Sequence, residues 1–183
     1  MSEYRVEICL SGSGGQGLIL AGIILAEAAG IYSGLEVVQT QSYGPEARGG
    51  ASRSEIVISN EKIDYPKVLN MDILLALTQK ACDTYIKNVK KDGILLVDST
   101  NVSKIPKFSG KSYQYPITKD AIQVIGNQLV TNILSLGIVV QLSKVVSREA
   151  VENALHKRIP ERFRELDQRA LDYGFAIGEK IQK

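Results

Sequence analysis

The chain has 183 residues, enough for one domain with a full hydrophobic core. Its 22 lysines and arginines nearly cancel 20 aspartates and glutamates, and the basic residues are dispersed without a stripe, which argues against a nucleic-acid partner. The most lipid-like stretch, 18–31, is shorter than the roughly 20 residues a membrane helix needs and contains Glu27, while Arg5 and Glu7 interrupt the first apolar segment, so neither a membrane span nor a signal peptide is expected and the location expected is cytoplasmic.

Short apolar runs alternate with helical patterns, which predicts βαβ units and a mostly parallel sheet. A first strand is expected over Arg5–Leu10, where Val6, Ile8 and Leu10 alternate with Glu7 and Cys9, unlike a strand covered on both faces. The glycine loop Gly12-Ser-Gly-Gly-Gln-Gly17 leads into a helix over Gln16–Tyr32. After a second strand, Leu35–Gln39, the stretch Thr40–Gly50 reads as a loop. It carries Gln41, Tyr43, Glu46 and Arg48 beside its glycines, more than a simple turn needs, and so is equipped to contact something. A third strand follows over Arg53–Ser59, and Asn60-Glu61 between Ile58 and Ile63 suggests a hairpin and at least one antiparallel pair.

Ile73–Leu77 and Ile94–Val97 are continuous apolar runs, as in strands covered on both faces, with a helix over Gln79–Lys87 between them. A surface connection over Ile105–Ser112, with Pro106 and Gly110, precedes a short strand near Ser112–Tyr115. Helices are expected at Thr118–Ile125, Gln128–Leu142, Ser147–Arg158 and Glu161–Ile181, with Ser147 as an N-cap and Pro160 in the first turn of the last. The predicted fold class is α/β: a Rossmann-like, mostly parallel sheet with helices on both faces and a C-terminal helical segment, in one domain spanning 1–183. Two helices stand out, since Leu18–Ile31 has Glu27 as its one charged residue and Leu129–Leu142 has none. A helix apolar all round must be covered all round, either by the terminal helices or by another protein.

Gly12, Gly14 and Gly17 have the dinucleotide-binding spacing after a strand and before a helix, where free N–H groups can receive an anion. That fingerprint also needs an acid at the end of the second strand, but Glu36 lies at its start, the wrong edge. NAD binding, tight packing of strand on helix, and a different ligand or interface remain as readings of the loop. Gln16 favours the last, because a carboxamide at a helix N-terminus offers a donor and an acceptor. Gln16, Thr40–Gly50, Thr78-Gln79 and Asp98-Ser99-Thr100 all follow strands and are expected to converge on the carboxyl edge of the sheet, although Asp98 could simply cap a turn and Arg48 simply pair with Glu46. Two cysteines, Cys9 and Cys82, are too few for a structural zinc or a cysteine-ligated cluster; Cys9 reads as a buried thiol and the lone His156 as a surface residue. The sequence contains no nucleophile–base pair, P-loop or thiamine-binding Gly-Asp-Gly…Asn pattern.

Gly12–Gly17, Gln41-Ser-Tyr-Gly-Pro-Glu-Ala-Arg-Gly-Gly50 and Asn132-x-x-x-Leu136-Gly137 together resemble the gamma subunit of 2-oxoacid:ferredoxin oxidoreductases, over nearly the whole chain. The wording of Thr40–Gly50 is most similar to the 2-oxoglutarate enzymes, with the pyruvate, branched-chain and indolepyruvate enzymes as near neighbours. The resemblance implies one subunit of a complex that decarboxylates a 2-oxoacid oxidatively, passes the acyl group to coenzyme A and reduces ferredoxin. It places thiamine diphosphate, magnesium and iron–sulfur clusters in the partner subunits, names alpha and beta subunits as partners with delta as a further candidate, and leaves this chain without cofactor, metal or catalytic residue and inactive alone. It also implies that this chain borders the active site on the coenzyme A side, through Gly12, Gly14, Gly15, Gln16 and Gly17 and through Gln41, Ser42, Tyr43, Gly44, Glu46, Arg48 and Gly49. The competing expectations are a free-standing NAD(P)-binding enzyme and a purely structural assembly module.

Overall fold

In the computed structural model, residues 4–43 and 51–183 are described. Six strands, β1 (Arg5–Ser13), β2 (Glu36–Tyr43), β3 (Ala51–Ser59), β4 (Met71–Ala76), β5 (Val89–Asp98) and β6 (Lys111–Tyr115), form one sheet in the order β2-β3-β1-β4-β5-β6. Neighbours from β1 to β6 through β4 and β5 are parallel, while β3 is antiparallel to both β1 and β2. The antiparallel pairing therefore exists, but not as the hairpin expected at Asn60-Glu61. No strand follows at Ile63; instead Asn60 N donates to Tyr4 O at 3.1 Å and Tyr4 N to Asn60 Oδ1 at 2.8 Å, tying the end of β3 to the start of β1. With partners on both of its edges, β3 has no free edge for a returning strand.

β2 runs further than its apolar residues do. Gln41, Ser42 and Tyr43 pair with Ser54, Arg53 and Ser52, so Thr40–Tyr43, expected as loop, is strand. Ladder hydrogen bonds are made by the backbone, and polar side chains do not stop them on an edge strand.

The core divides at the sheet. On one face Ile8, Leu10, Ile56 and Leu75 meet α1 (Leu18–Gly30) and α4 (Thr131–Ser143); on the other Cys9, Leu74 and Val97 meet the short α2 (Gln79–Tyr85). Helices cover both faces as expected, but very unequally. The alternation in β1 is resolved by Glu7, which is 7% exposed yet fully engaged: its Oε2 accepts from Leu69 N at 2.7 Å and Asn70 N at 2.9 Å, and its Oε1 from Arg5 Nε at 3.0 Å. A buried acid with four N–H donors, Arg5 Nη2 being the fourth, is tolerated in a central strand.

Of the two apolar helices, α4 is covered from within the chain, whereas α1 leaves Ile19, Leu20, Ile23 and Ala26 partly exposed. α5 (Arg148–Arg158) packs on α1, and α6 (Glu161–Ile181) packs on α4, whose residues Thr131–Val140 are all buried. The α4–α6 crossing is close: a Cβ added to Gly137 would stand 2.5 Å from Leu171 O and 3.0 Å from the Cα of Gly174. Ser147 caps α5 as expected, accepting from Ala150 N at 3.1 Å; Pro160 takes the N-cap position of α6 rather than its first turn. Between β6 and α4, α3 (Ile117–Asp120) continues as a wider turn over Ala121–Ile125 and closes at Gly126 with φ 91°. No helix of the described residues is long and apolar enough to cross a membrane.

Candidate functional site

β1 hands the chain to α1 on one face of the sheet, whereas β4 hands it to α2 on the other. A divergence of this kind opens a crevice at the carboxyl ends of the two strands, where open α/β sheets bind ligands. The glycine loop lies there. Gly15 (φ 90°) and Gly17 (φ 71°) adopt the left-handed conformation that a Cβ disfavours. Gly17 is the N-cap of α1, contributes no side-chain cap, and no acid occupies the first turn. The first N–H groups of α1 are thus free of local side-chain acceptors.

Gln16 has a role the sequence did not suggest. Its Oε1 accepts from Ser13 N at 2.7 Å, so the acceptor half of the carboxamide holds the loop, and only the amino half is available to a ligand. Asn132, at the start of α4, donates from Nδ2 to Gly17 O at 3.0 Å. A Cβ on Gly17 would stand 2.5 Å from that nitrogen, so the position needs glycine for space as well as for φ. One hydrogen bond therefore joins the starts of α1 and α4.

Around this junction lies a cavity of about 590 Å³, bounded by Ser13–Gln16, by Thr78 and Asn101, and by Gln128, Leu129 and Thr131. Among the described residues, no charged side chain lines it. Thr78 also caps α2, accepting from Ala81 N at 3.2 Å. Asp98 does not reach the cavity. It is fully buried, accepts from Thr118 Oγ1 at 2.5 Å and Thr100 N at 3.0 Å, and receives Asn101 Nδ2 at 2.8 Å, so it buttresses Asn101. Gln79 turns away to the 103–104 backbone, accepting from Ser103 N at 3.0 Å and Lys104 N at 3.1 Å. A shallow depression of about 610 Å³ beside Gln79 and Asp83 is wider, but these polar groups bind one another.

Tyr43, Ser52 and Gly12 form one row across β2, β3 and β1, which sets Tyr43 about 10 Å from Gly12 at the usual strand spacing. Gln41, Ser42 and Tyr43 are exposed at the same edge of the sheet but do not line the cavity. Gly44, Glu46, Arg48 and Gly49 lie outside the described residues. Asn101, Gln128, Leu129 and Thr131 are cavity residues that sequence reasoning missed; the polar pair Thr131-Asn132 opening an otherwise apolar helix was the available signal.

The missing dinucleotide acid is accounted for by the register, since Glu36 opens β2 opposite Ser59, at the far edge from the glycine loop. Both cysteines are buried, and burial, reinforced by Glu55, pushes Cys9 up to about 12, so it stays a thiol at neutral pH. No group of three His, Cys, Asp or Glu side chains among the described residues could hold a metal ion.

Residues 7–177 match the family described as pyruvate ferredoxin/flavodoxin oxidoreductase. The chain belongs to this family. It is 46% identical over 181 residues, 98% of this chain and 97% of the relative, to the 2-oxoglutarate synthase subunit KorC of Methanocaldococcus jannaschii. The crystal structure of the keto/oxoacid ferredoxin oxidoreductase gamma subunit of Geobacter sulfurreducens superposes with a TM-score of 0.90 at 48% identity, covering 97% of this chain and 98% of that one. A 2-oxoglutarate:ferredoxin oxidoreductase chain of Magnetococcus marinus has the same fold in 31% of its length, with a TM-score of 0.83 at 22% identity over 96% of this chain. The Rossmann-like α/β fold with its C-terminal helices is thus that of a gamma subunit.

Proposed function

We propose that this chain is the gamma subunit of a 2-oxoglutarate:ferredoxin oxidoreductase and that its glycine-loop cavity borders the coenzyme A side of the active site. The glycine loop, which lines a polar cavity and leads directly into the uncapped start of α1, carries the reading. Free N–H groups at a helix start suit a phosphate oxygen. The amino group of Gln16 and the side chains of Thr78, Asn101 and Thr131 suit the amides and hydroxyls of a pantetheine arm. The Magnetococcus enzyme has been solved with 2-oxoglutarate, coenzyme A and succinyl-CoA bound, which makes coenzyme A the first ligand to try.

In this reading the chain binds and orients, and the chemistry lies elsewhere. The 2-oxoacid is decarboxylated on thiamine diphosphate in the partner subunits, electrons leave through their iron–sulfur clusters to ferredoxin, and this chain helps to present the thiol that accepts the acyl group. Titration of the full chain with coenzyme A, NAD(H) and thiamine diphosphate, followed by the backbone amide resonances of 13–20, separates the three classes of function. Coenzyme A is expected to move those resonances and the other two are not. A response to NAD(H) alone would restore the dinucleotide reading, and no response to any ligand, in the chain or in the assembled complex, would leave only an assembly module.

A further inference from the structure

Four polar side chains of the glycine-loop cavity have their hydrogen-bonding direction settled by partners inside the chain. The Oε1 of Gln16 is taken by the Ser13 backbone N–H, which can only donate, so Gln16 offers its Nε2 amino group. Asn101 is turned the opposite way. Its Nδ2 donates to Asp98 Oδ2 at 2.8 Å and to Thr118 Oγ1 at 3.3 Å. Thr118 Oγ1 in turn donates to the same Asp98 oxygen at 2.5 Å, and Asp98 is fully buried. Turning the Asn101 carboxamide over would set oxygen against oxygen, so its Oδ1 is left outside the network as an acceptor. The two threonines divide in the same manner. Thr78 Oγ1 accepts from Ala81 N and keeps its O–H for a ligand, whereas Thr131 Oγ1 gives its hydrogen to Gln128 O at 2.6 Å and keeps its lone pairs. The remaining polar side chains of the lining, Ser13 and Gln128, are not fixed by a partner among the described residues and can follow a ligand.

Strands β1, β4 and β5 are neighbours in that order, so Gln16 after β1, Thr78 after β4 and Asn101 after β5 stand in a row along the cavity. The row has donors at one end and an acceptor at the other. We propose that Asn101 determines specificity in this cavity: its Oδ1 accepts the N–H of a secondary amide whose carbonyl is held by Gln16 Nε2 or the Thr78 hydroxyl. A secondary amide presents one donor and one acceptor on opposite sides, and the row offers the complement of each. An ester of the same shape lacks the N–H and would leave the Asn101 oxygen unmet, the kind of loss by which polar sites reject an analogue. Asp98 and Thr118 are positioning residues, since they hold the Asn101 carboxamide and do not line the cavity. Coenzyme A carries two such amides in its pantetheine arm, and the assignment of Asn101 rests on coenzyme A occupying this cavity as proposed above.

Dissociation constants of the full chain for coenzyme A, pantetheine and 3′-phosphoadenosine 5′-diphosphate, the nucleotide part without amides, test the assignment. Asn101→Ala is expected to weaken coenzyme A and pantetheine about tenfold and to leave the nucleotide unchanged. Thr118→Val is expected to act in the same direction by loosening Asn101, and Thr118→Ser, which keeps the hydroxyl, to bind like the wild type. A wild-type chain that binds coenzyme A no more tightly than Asn101→Ala overturns the role of Asn101 and leaves the coenzyme A reading intact. Equal weakening of the nucleotide in Asn101→Ala overturns it as well, because it marks a distorted cavity. Thr118→Ser binding as weakly as Thr118→Val removes the positioning role of Thr118. No response of the wild-type chain or the assembled complex to coenzyme A or pantetheine overturns the coenzyme A reading, and the role of Asn101 with it.

Discussion

Each residue of the glycine loop answers to a different constraint, and substitutions should separate them. Gly17→Ala meets both an unfavourable φ and the Asn132 side chain, so a loss of at least about 1 kcal/mol is expected in urea unfolding. Gly15 has nothing within 4 Å of an added Cβ, and its φ of 90° alone opposes a side chain. Gly15→Ala should therefore cost less than Gly17→Ala, and equal losses would show that the Asn132 contact does not matter. Gln16→Ala removes the acceptor for Ser13 N, worth about 1 kcal/mol, together with the amino group offered to the cavity. In an assembled complex it should raise the coenzyme A KM while leaving subunit composition unchanged. Wild-type kinetics with this variant would reduce Gln16 to a loop brace. At the two cysteines burial decides: neither should react with a thiol reagent at pH 8 in the folded chain, and both should react in denaturant.

At the scale of elements, the helical layer depends on the α4–α6 crossing. Gly137 and Gly174 let two backbones touch, and an added Cβ at either would strike main-chain atoms of the other helix rather than a side chain that could swing away. Gly137→Ala is expected to destabilise by about 1–3 kcal/mol, despite the higher helix propensity of alanine. A chemical denaturation midpoint at or above that of the wild type would refute the close packing. The same crossing sets the site, because α4 carries Asn132 and Thr131 to the glycine loop. A shift of α4 should therefore appear in coenzyme A use as well as in stability.

At the scale of the whole molecule, the chain presents a polar rim and a neutral cavity without reaction machinery among its described residues. It is expected to show no 2-oxoacid oxidation alone and to support turnover with ferredoxin or a dye acceptor once the partner subunits are added. Coenzyme A-dependent oxidation by the purified chain, free of iron and thiamine, would overturn this. Arg48 belongs to this scale too, since its proposed role is exerted in the complex. A guanidinium clamps a carboxylate or phosphate in paired hydrogen bonds that lysine does not reproduce, so Arg48→Lys should lower complex activity while moving stability by less than about 0.5 kcal/mol.

Most of the fold was legible from the chain because hydrophobic periodicity reports directly on which faces are buried. The runs at Ile73–Leu77 and Ile94–Val97 became parallel strands covered on both faces, and the charge-free apolar run of α4 became an interior helix. The edge position of the glycine loop followed from the strand-to-helix order alone. What pairs with what was not legible. Backbone ladders extend through polar residues, so β2 reached Tyr43, and a strand satisfied on both edges accepts no third partner, so Asn60-Glu61 made no hairpin. The cavity was hidden for the same reason. Asn101, Thr131 and Asn132 are far from Gln16 in sequence, and only the packing of α4 against α1 and the sheet brings them to it. The bond from Thr118 to Asp98 that fixes Asn101 likewise depends on the register of β5 with β6, which the order of residues in one strand does not contain.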